Sequence, residues 1–350
     1  MIFRQLYDAE SSTYTYLLAD ENSSEALLID PVYEQVTRDL ALINELGLEL
    51  KLTLDTHCHA DHVTGAWLLQ QKTGSRIAIA EQAGVKNCDI QLRDGDSVGV
   101  TGVPLHVIAT PGHTDGCVTF VTDDRSMAFT GDCLLIRGCG RADFQQGDAA
   151  TLFRSITEKL FDLPDGCRVY PAHDYSGRTS STIGEEKAYN PRAGGGASER
   201  DFVGYMDALQ LPHPKHLDIA LPANLRAGMP EDGNLPAEPD WAPIRINFAG
   251  VAEIDPLWVS QHRDQVHVLD VRQPEEVLDS HDRLAGAQVI PLDELRDRLA
   301  EVPRDKPVVT FCRSGRRSAM AVSILQNDGV DQVANIAGGI LRWRDEGCPL

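Results

Sequence analysis

A chain of 350 residues with 53 acidic and 32 basic side chains, formally −21 at neutral pH, shows no basic face for phosphate and argues against a nucleic-acid partner. It is long enough for two domains, each burying its own core. No apolar run is long enough to span a bilayer, Met1-Ile2-Phe3-Arg4 lacks the basic-then-apolar layout of a secretion signal, and eight dispersed cysteines point to reduced thiols, so the expected location is the cytosol, with no membrane partner.

In chain order, apolar and β-branched runs predict strands over Thr13–Ala19, Ala26–Ile29, Lys51–Asp55, Ile77–Ala80, Leu105–Ala109, Val118–Val121 and Met127–Thr130, with a helical pattern over Glu34–Glu45. Motifs rich in histidine and aspartate punctuate this half: His57-Cys58-His59-Ala60-Asp61-His62, then Pro111-Gly112-His113, Gly131-Asp132 and Pro171-Ala172-His173. His57, His113 and Asp132 each come just after a predicted strand, so a sheet edge can present them to one place. Imidazole and carboxylate suit iron, zinc or manganese, and the absence of thiolates argues against a closed structural zinc site. The letters alone permit one ion or two.

Residues 228–243, rich in proline, glycine and acids, carry no hydrophobic period and read as a linker between domains at 1–227 and 244–350. Beyond it, Val266–Arg272 and Pro307–Phe311 read as buried strands, and Arg317–Gln326 as a helix, an α/β pattern with a parallel sheet. Between the second strand and that helix lies Cys312-Arg313-Ser314-Gly315-Arg316-Arg317-Ser318. Loop amides, the positive helix end and three arginines favour thiolate at Cys312 and attract small anions such as thiosulfate or sulfite.

The first half resembles the metallo-β-lactamase superfamily, through the His57–His62 motif and the later His113, Asp132 and His173. The phrases Thr110–Cys117, Phe129–Asp132, Ile136–Phe144 and Tyr170–Tyr175 look like one branch of it, the glutathione-persulfide dioxygenases. The resemblance implies an αββα sandwich and one iron(II), held by His57, His113 and Asp132, with His59, Asp61, His62 and His173 in an outer shell. Two histidines and one carboxylate cap one face of iron and leave room for a sulfur ligand and O2. A glutathione-type substrate carries two carboxylates and an ammonium, for which Arg141, Lys215 and Arg226 are the candidate cations; the resemblance places Arg141 and Tyr175 beside the substrate.

The stretch from about Ile244 to Leu350 resembles a single rhodanese domain, through Leu269–Glu276, Ala285–Leu292, the Cys312 loop and Ala337–Trp343, with Ser280–Leu284 departing from the commoner pattern. In that family the cysteine takes up a sulfane sulfur as a persulfide and passes it to an acceptor thiol. The expected whole is a two-domain α/β enzyme that oxidises glutathione persulfide with O2 to sulfite and glutathione. Its second half would exchange sulfur between thiosulfate and glutathione. The rivals are a dinuclear zinc thioesterase resembling glyoxalase II, and a sulfur carrier without oxidative chemistry. A homo-oligomer is compatible with either half.

Overall fold

In the computed structural model, residues 1–209, 217–237, 239–279 and 283–350 are described. Lys215 and Ser280–Asp282, the start of the departure from the rhodanese pattern, lie outside them. The chain divides into two compact units, Met1–Leu235 and Pro236–Leu350.

The first unit holds two six-stranded mixed sheets. One runs Ile2–Asp8, Thr13–Ala19, Glu25–Ile29, Glu49–Leu54, Arg76–Ala80, Ile90–Leu92; the other runs Ser181–Thr182, Arg168–Pro171, Met127–Gly131, Val118–Thr122, Val103–Ala109, Ser97–Val100. Strand geometry sends successive side chains to opposite faces. Thus Tyr14, Tyr16 and Leu18 of one strand meet Leu105, Phe120, Phe129 and Tyr170 between the sheets. From the same strand Leu17 and Ala19 pack outward against Leu42 and Ile43 of the helix Val36–Glu45, and against Trp67 and Leu68 of the helix Ala66–Thr73. On the far sheet, Val121, Ala128 and Val169 pack outward against Leu152, Phe153, Ile183 and Phe202 from helical segments. Helix, sheet, sheet, helix is the αββα sandwich that the motifs implied.

The second unit is built on one sheet, ordered Arg245–Ile246, Ala252–Ile254, Val333–Ile336, Val308–Phe311, His267–Asp270, Gln288–Val289, parallel except for its first pair. Both faces are covered, one by Val259, Ile340 and Trp343 and the other by Ala321, Val322 and Leu325, as parallel sheets require. The segment expected to be a linker is packed at both ends. Met229 packs against the core of the first unit, and Trp241 and Ala242 belong to that of the second. Among the described residues no helix is long and apolar enough to cross a membrane.

Candidate metal centre and sulfur site

Every histidine and aspartate singled out in the first unit leaves from a strand end. His57, His59, Asp61 and His62 lie in the loop after Glu49–Leu54, His113 in the turn after Val103–Ala109, Asp132 directly after Met127–Gly131, and His173 after Arg168–Pro171. A bridge between Thr13 and His173, with a 2.7 Å bond from the Tyr14 N–H to the Ala172 carbonyl, joins the two sheets here. The loops of both sheets therefore converge. Among the described residues, ligand-capable atoms lie within 4.8 Å of one another in three groups: His57, His113 and Asp132; His59, Asp61, His62 and His173; and Asp30, Asp55 and His59.

Neighbouring acceptors settle which ring nitrogens carry protons. The Asp30 carboxylate accepts the Thr56 hydroxyl proton at 2.9 Å, so His57 Nδ1, 3.0 Å from that hydroxyl oxygen, must donate. His113 Nδ1 donates to the Arg141 carbonyl at 2.6 Å. His57 is left with a lone pair on Nε2, and His113 Nε2 stands 3.6 Å from Asp132 Oδ2. Burial and then the nearby His59 ring push the His57 pKa well down, which keeps that lone pair available. Two imidazole Nε2 atoms and a carboxylate oxygen thus face one point, with the outer ring nitrogens anchored as metal-ligating histidines commonly are.

His173 is held differently. Its Nδ1 lies 2.7 Å from Asp132 Oδ1 and its Nε2 2.9 Å from Asp61 Oδ2. Carboxylates only accept, so both nitrogens carry protons. Burial alone would lower its pKa, but Asp132 and Asp61 outweigh burial and hold it well above the ordinary value. Asp132 shows the reciprocal effect: burial would raise it, yet His173, His113 and His57 keep it well below the usual carboxylate range. In the second group His59 Nδ1 and His62 Nε2 are buried without a hydrogen-bond partner.

A cavity of about 340 Å³ opens over the first group. Cys139 lines it, as do Arg137, Arg141, Arg178 and Arg192. Arg141 is paired with Asp143 at 2.5 Å and lies over the Phe144 ring, so its charge is already engaged. Arg178 and Arg192 are different: among the described residues neither pairs with a carboxylate, and each donates to a backbone carbonyl, of Ile136 and Cys139 respectively. Tyr175, 72% exposed, lies parallel to the His173 ring at 6.1 Å on the rim.

In the second unit Cys312 leaves the strand Val308–Phe311 and is buried beneath its own loop, which runs into the helix Arg316–Asn327. Burial pushes the thiol up. The N–H groups of Ser318, Ser314 and Arg317 pull the other way and the thiol lies below its ordinary value, with the Ser318 hydroxyl oxygen 3.4 Å from the sulfur. Gly339, at φ +61°, allows the next turn to lie against this loop; a Cβ there would stand 2.4 Å from the Cys312 carbonyl. Arg313 and Arg316 are exposed, whereas Arg317 is paired with both oxygens of Glu276 at 2.6 and 2.8 Å.

The metallo-beta-lactamase superfamily model matches residues 9–85 and 75–173, and the rhodanese-like domain model matches 255–346. The mitochondrial persulfide dioxygenase ETHE1 of Homo sapiens is 52% identical over 230 residues, which cover 65% of this chain and 89% of that protein. The crystal structure of ETHE1 from Myxococcus xanthus is 49% identical, with a TM-score of 0.63, covering 65% of this chain and all of that one. A metallo-beta-lactamase structure from Staphylococcus aureus, 25% identical, has a TM-score of 0.62 over 96% of this chain and 98% of that chain. This chain belongs to the persulfide dioxygenase family, with a rhodanese domain at its C-terminal end.

Within this persulfide dioxygenase homologue the cations expected near the substrate are distributed unevenly. Arg141 reaches the cavity, Lys215 lies outside the described residues, and Arg226 lines a separate cavity with Tyr33, Asp218 and Pro222. Sequence reading missed Arg178 and Arg192. Arg178 sits three residues after Tyr175 in the loop that follows His173, which was a usable signal; Arg192, just past the helix Ile183–Tyr189, had none. Gly140 is a further requirement: its N–H donates to the Asp132 carbonyl at 2.7 Å, and a Cβ there would stand 2.5 Å from that oxygen and 2.8 Å from His113 Nδ1. Gly140→Ala is expected to lower metal affinity by roughly 10–100-fold while the thermal melt stays cooperative, as perturbing a ligand's support does. Metal titration of the refolded apoprotein measures this, and an unchanged affinity would show that the turn yields freely.

Proposed function

We propose that the first unit oxidises glutathione persulfide with O2 and water, giving glutathione, sulfite and protons, and holds one iron(II) on His57, His113 and Asp132. The observation that carries the reading is the proton arrangement. Two imidazole Nε2 atoms and Asp132 Oδ2 face a common point, while the His173 Nδ1 proton occupies Asp132 Oδ1. That leaves Oδ2 as the oxygen with which Asp132 would hold the ion. Iron(II) bound there would supply open coordination positions and the electron density that O2 reduction demands.

The chain's own groups do the rest. Thr56 with Asp30, and the Arg141 carbonyl, hold the His57 and His113 rings in register. The outer pair of arginines, Arg178 and Arg192, suits the two carboxylates of a glutathione-type thiol, and Tyr175 and Arg141 border the same opening. Arg192→Ala is expected to raise KM for glutathione persulfide about 10- to 100-fold with kcat nearly unchanged, the signature of lost ground-state binding. A fall in kcat at constant KM would contradict an anchoring role.

In the second unit Cys312 would attack the sulfane sulfur of thiosulfate, releasing sulfite and forming a cysteine persulfide. Attack by glutathione would then release glutathione persulfide and restore the cysteine. Arg313 and Arg316 attract the anion, Arg317 is held by Glu276 beside them, and the amides of Ser314, Arg317 and Ser318 hold the sulfur; Gly315 starts the helix. The eight cysteines are free, which suits a reducing compartment such as the cytosol.

A second reading, a dinuclear zinc thioesterase, draws on the unpartnered His59 Nδ1 and His62 Nε2 beside Asp61 and His173. Elemental analysis with an oxygen electrode separates the two. One iron per chain and oxygen uptake on adding glutathione persulfide are expected; paired zinc with no uptake would overturn the assignment.

A further inference from the structure

Beneath Cys312 lies a polar chain that the transfer reaction as described does not use. Ser318 Oγ is 3.4 Å from Cys312 Sγ but only 2.6 Å from Asn335 Oδ1. Asn335 Nδ2 in turn donates to Glu253 Oε1 at 3.2 Å, and Glu253 also accepts from Asn247 Nδ2 at 3.2 Å. Glu253 and Asn335 are register partners on adjacent parallel strands, Ala252–Ile254 and Val333–Ile336, so the geometry is set by the sheet. Cys312, Ser318 and Asn335 are all buried.

Donor accounting fixes the direction of this chain. A carboxylate only accepts, so Asn335 must present its NH2 group to Glu253 and its oxygen to Ser318. A hydroxyl has one proton, and the shorter contact takes it. Ser318 therefore faces Cys312 with lone pairs, as an acceptor for a thiol S–H, and the thiolate is left to the loop amides. If Asn335 could turn over, its NH2 would donate to Ser318, and Ser318 would be free to donate to sulfur. Glu253 prevents that turn.

We infer that Glu253, acting through Asn335 and Ser318, is a positioning residue that restrains thiolate formation at Cys312. The inference rests on the sulfur-transfer reading of this unit. It assigns the cysteine a lower reactivity than its loop alone would confer. The other charges facing Cys312 are Arg313 and Arg316, Arg317 with Glu276, the buried Asp270–Arg272 pair, and Arg342 with Asp255 and Glu346 on the helix Gly339–Asp345.

The test is the pH profile of Cys312 alkylation by iodoacetamide in the full chain, read by mass spectrometry of the Cys312 peptide. Glu253→Gln should move the midpoint down by about one pH unit, the worth of one added hydrogen bond to the thiolate. Removing a nearby negative charge would also favour thiolate through space, so the same substitution is made in a Ser318→Ala background. There the relay has no link to sulfur, and no further shift is expected. Asn335→Ala, which changes no charge, should reproduce the downward shift with Ser318 present and not in its absence. If Glu253→Gln does not fold, the Asn335→Ala pair decides alone. A profile that is unchanged, moves upward, or shifts equally without Ser318 overturns the inference. Thiosulfate turnover by the unmodified protein is measured separately, so a failed sulfur-transfer reading is distinguishable from a failed relay.

Discussion

Asp132→Ala is expected to empty the proposed iron site and abolish oxygen uptake, with a loss of at least about 100-fold, because changes that merely touch a ligand's support already cost 10–100-fold. Three effects coincide at this side chain. One carboxylate oxygen faces His113 Nε2 at 3.6 Å, the other accepts from His173 at 2.7 Å, and the negative charge offsets the surrounding imidazoles. Two neutral imidazoles alone hold iron(II) poorly. The backbone carbonyl that receives the Gly140 N–H is untouched, so the turn should survive. Iron content, oxygen consumption and a thermal melt on one preparation form the measurement; retained iron with full uptake would mean that another side chain is the third ligand.

The second large effect lies in the other unit. Cys312→Ser should take thiosulfate-dependent sulfur transfer to background while oxidation of supplied glutathione persulfide continues at nearly the unmodified rate. A hydroxyl at this position is a poor nucleophile toward sulfur and cannot carry a persulfide. The substitution is close to isosteric and the site is buried, so the fold should tolerate it. Each unit has its own core, one around Tyr16 and Phe129 and the other around Phe311 and Trp343. Loss of both activities in this variant would contradict two separable centres.

The parts of this molecule that could be read from its letters are those governed by local rules. The strand Thr13–Ala19 carries alternating large side chains to two buried faces, and the helix Val36–Glu45 follows its apolar spacing. The histidine and aspartate motifs stood out because each falls at a strand end, where loops are free to converge. Two-residue strands such as Ser181–Thr182 and Arg245–Ile246 escaped, since a pair of residues holds no period. The proton pattern was also out of reach. That His173 sits between Asp132 and Asp61, rather than offering a lone pair, depends on contacts 41 and 112 residues apart along the chain. The letters offer Arg141 as a cation for the substrate; that its guanidinium also binds Asp143 and its carbonyl supports His113 shows only in the fold. Arg192 carried no local signal, because it is brought to the cavity by packing alone.

Asp30 is not in the cavity and offers no atom to His57, His113 or Asp132. At the end of the strand Glu25–Ile29, with φ +51°, its carboxylate accepts from the Thr56 N–H and hydroxyl and lies 3.2 Å from His59 Nε2. One remote acid is therefore the common footing of both histidine groups. Damage at position 30 would loosen the two together and pass for a metal defect, though His57, His113 and Asp132 all remained in place.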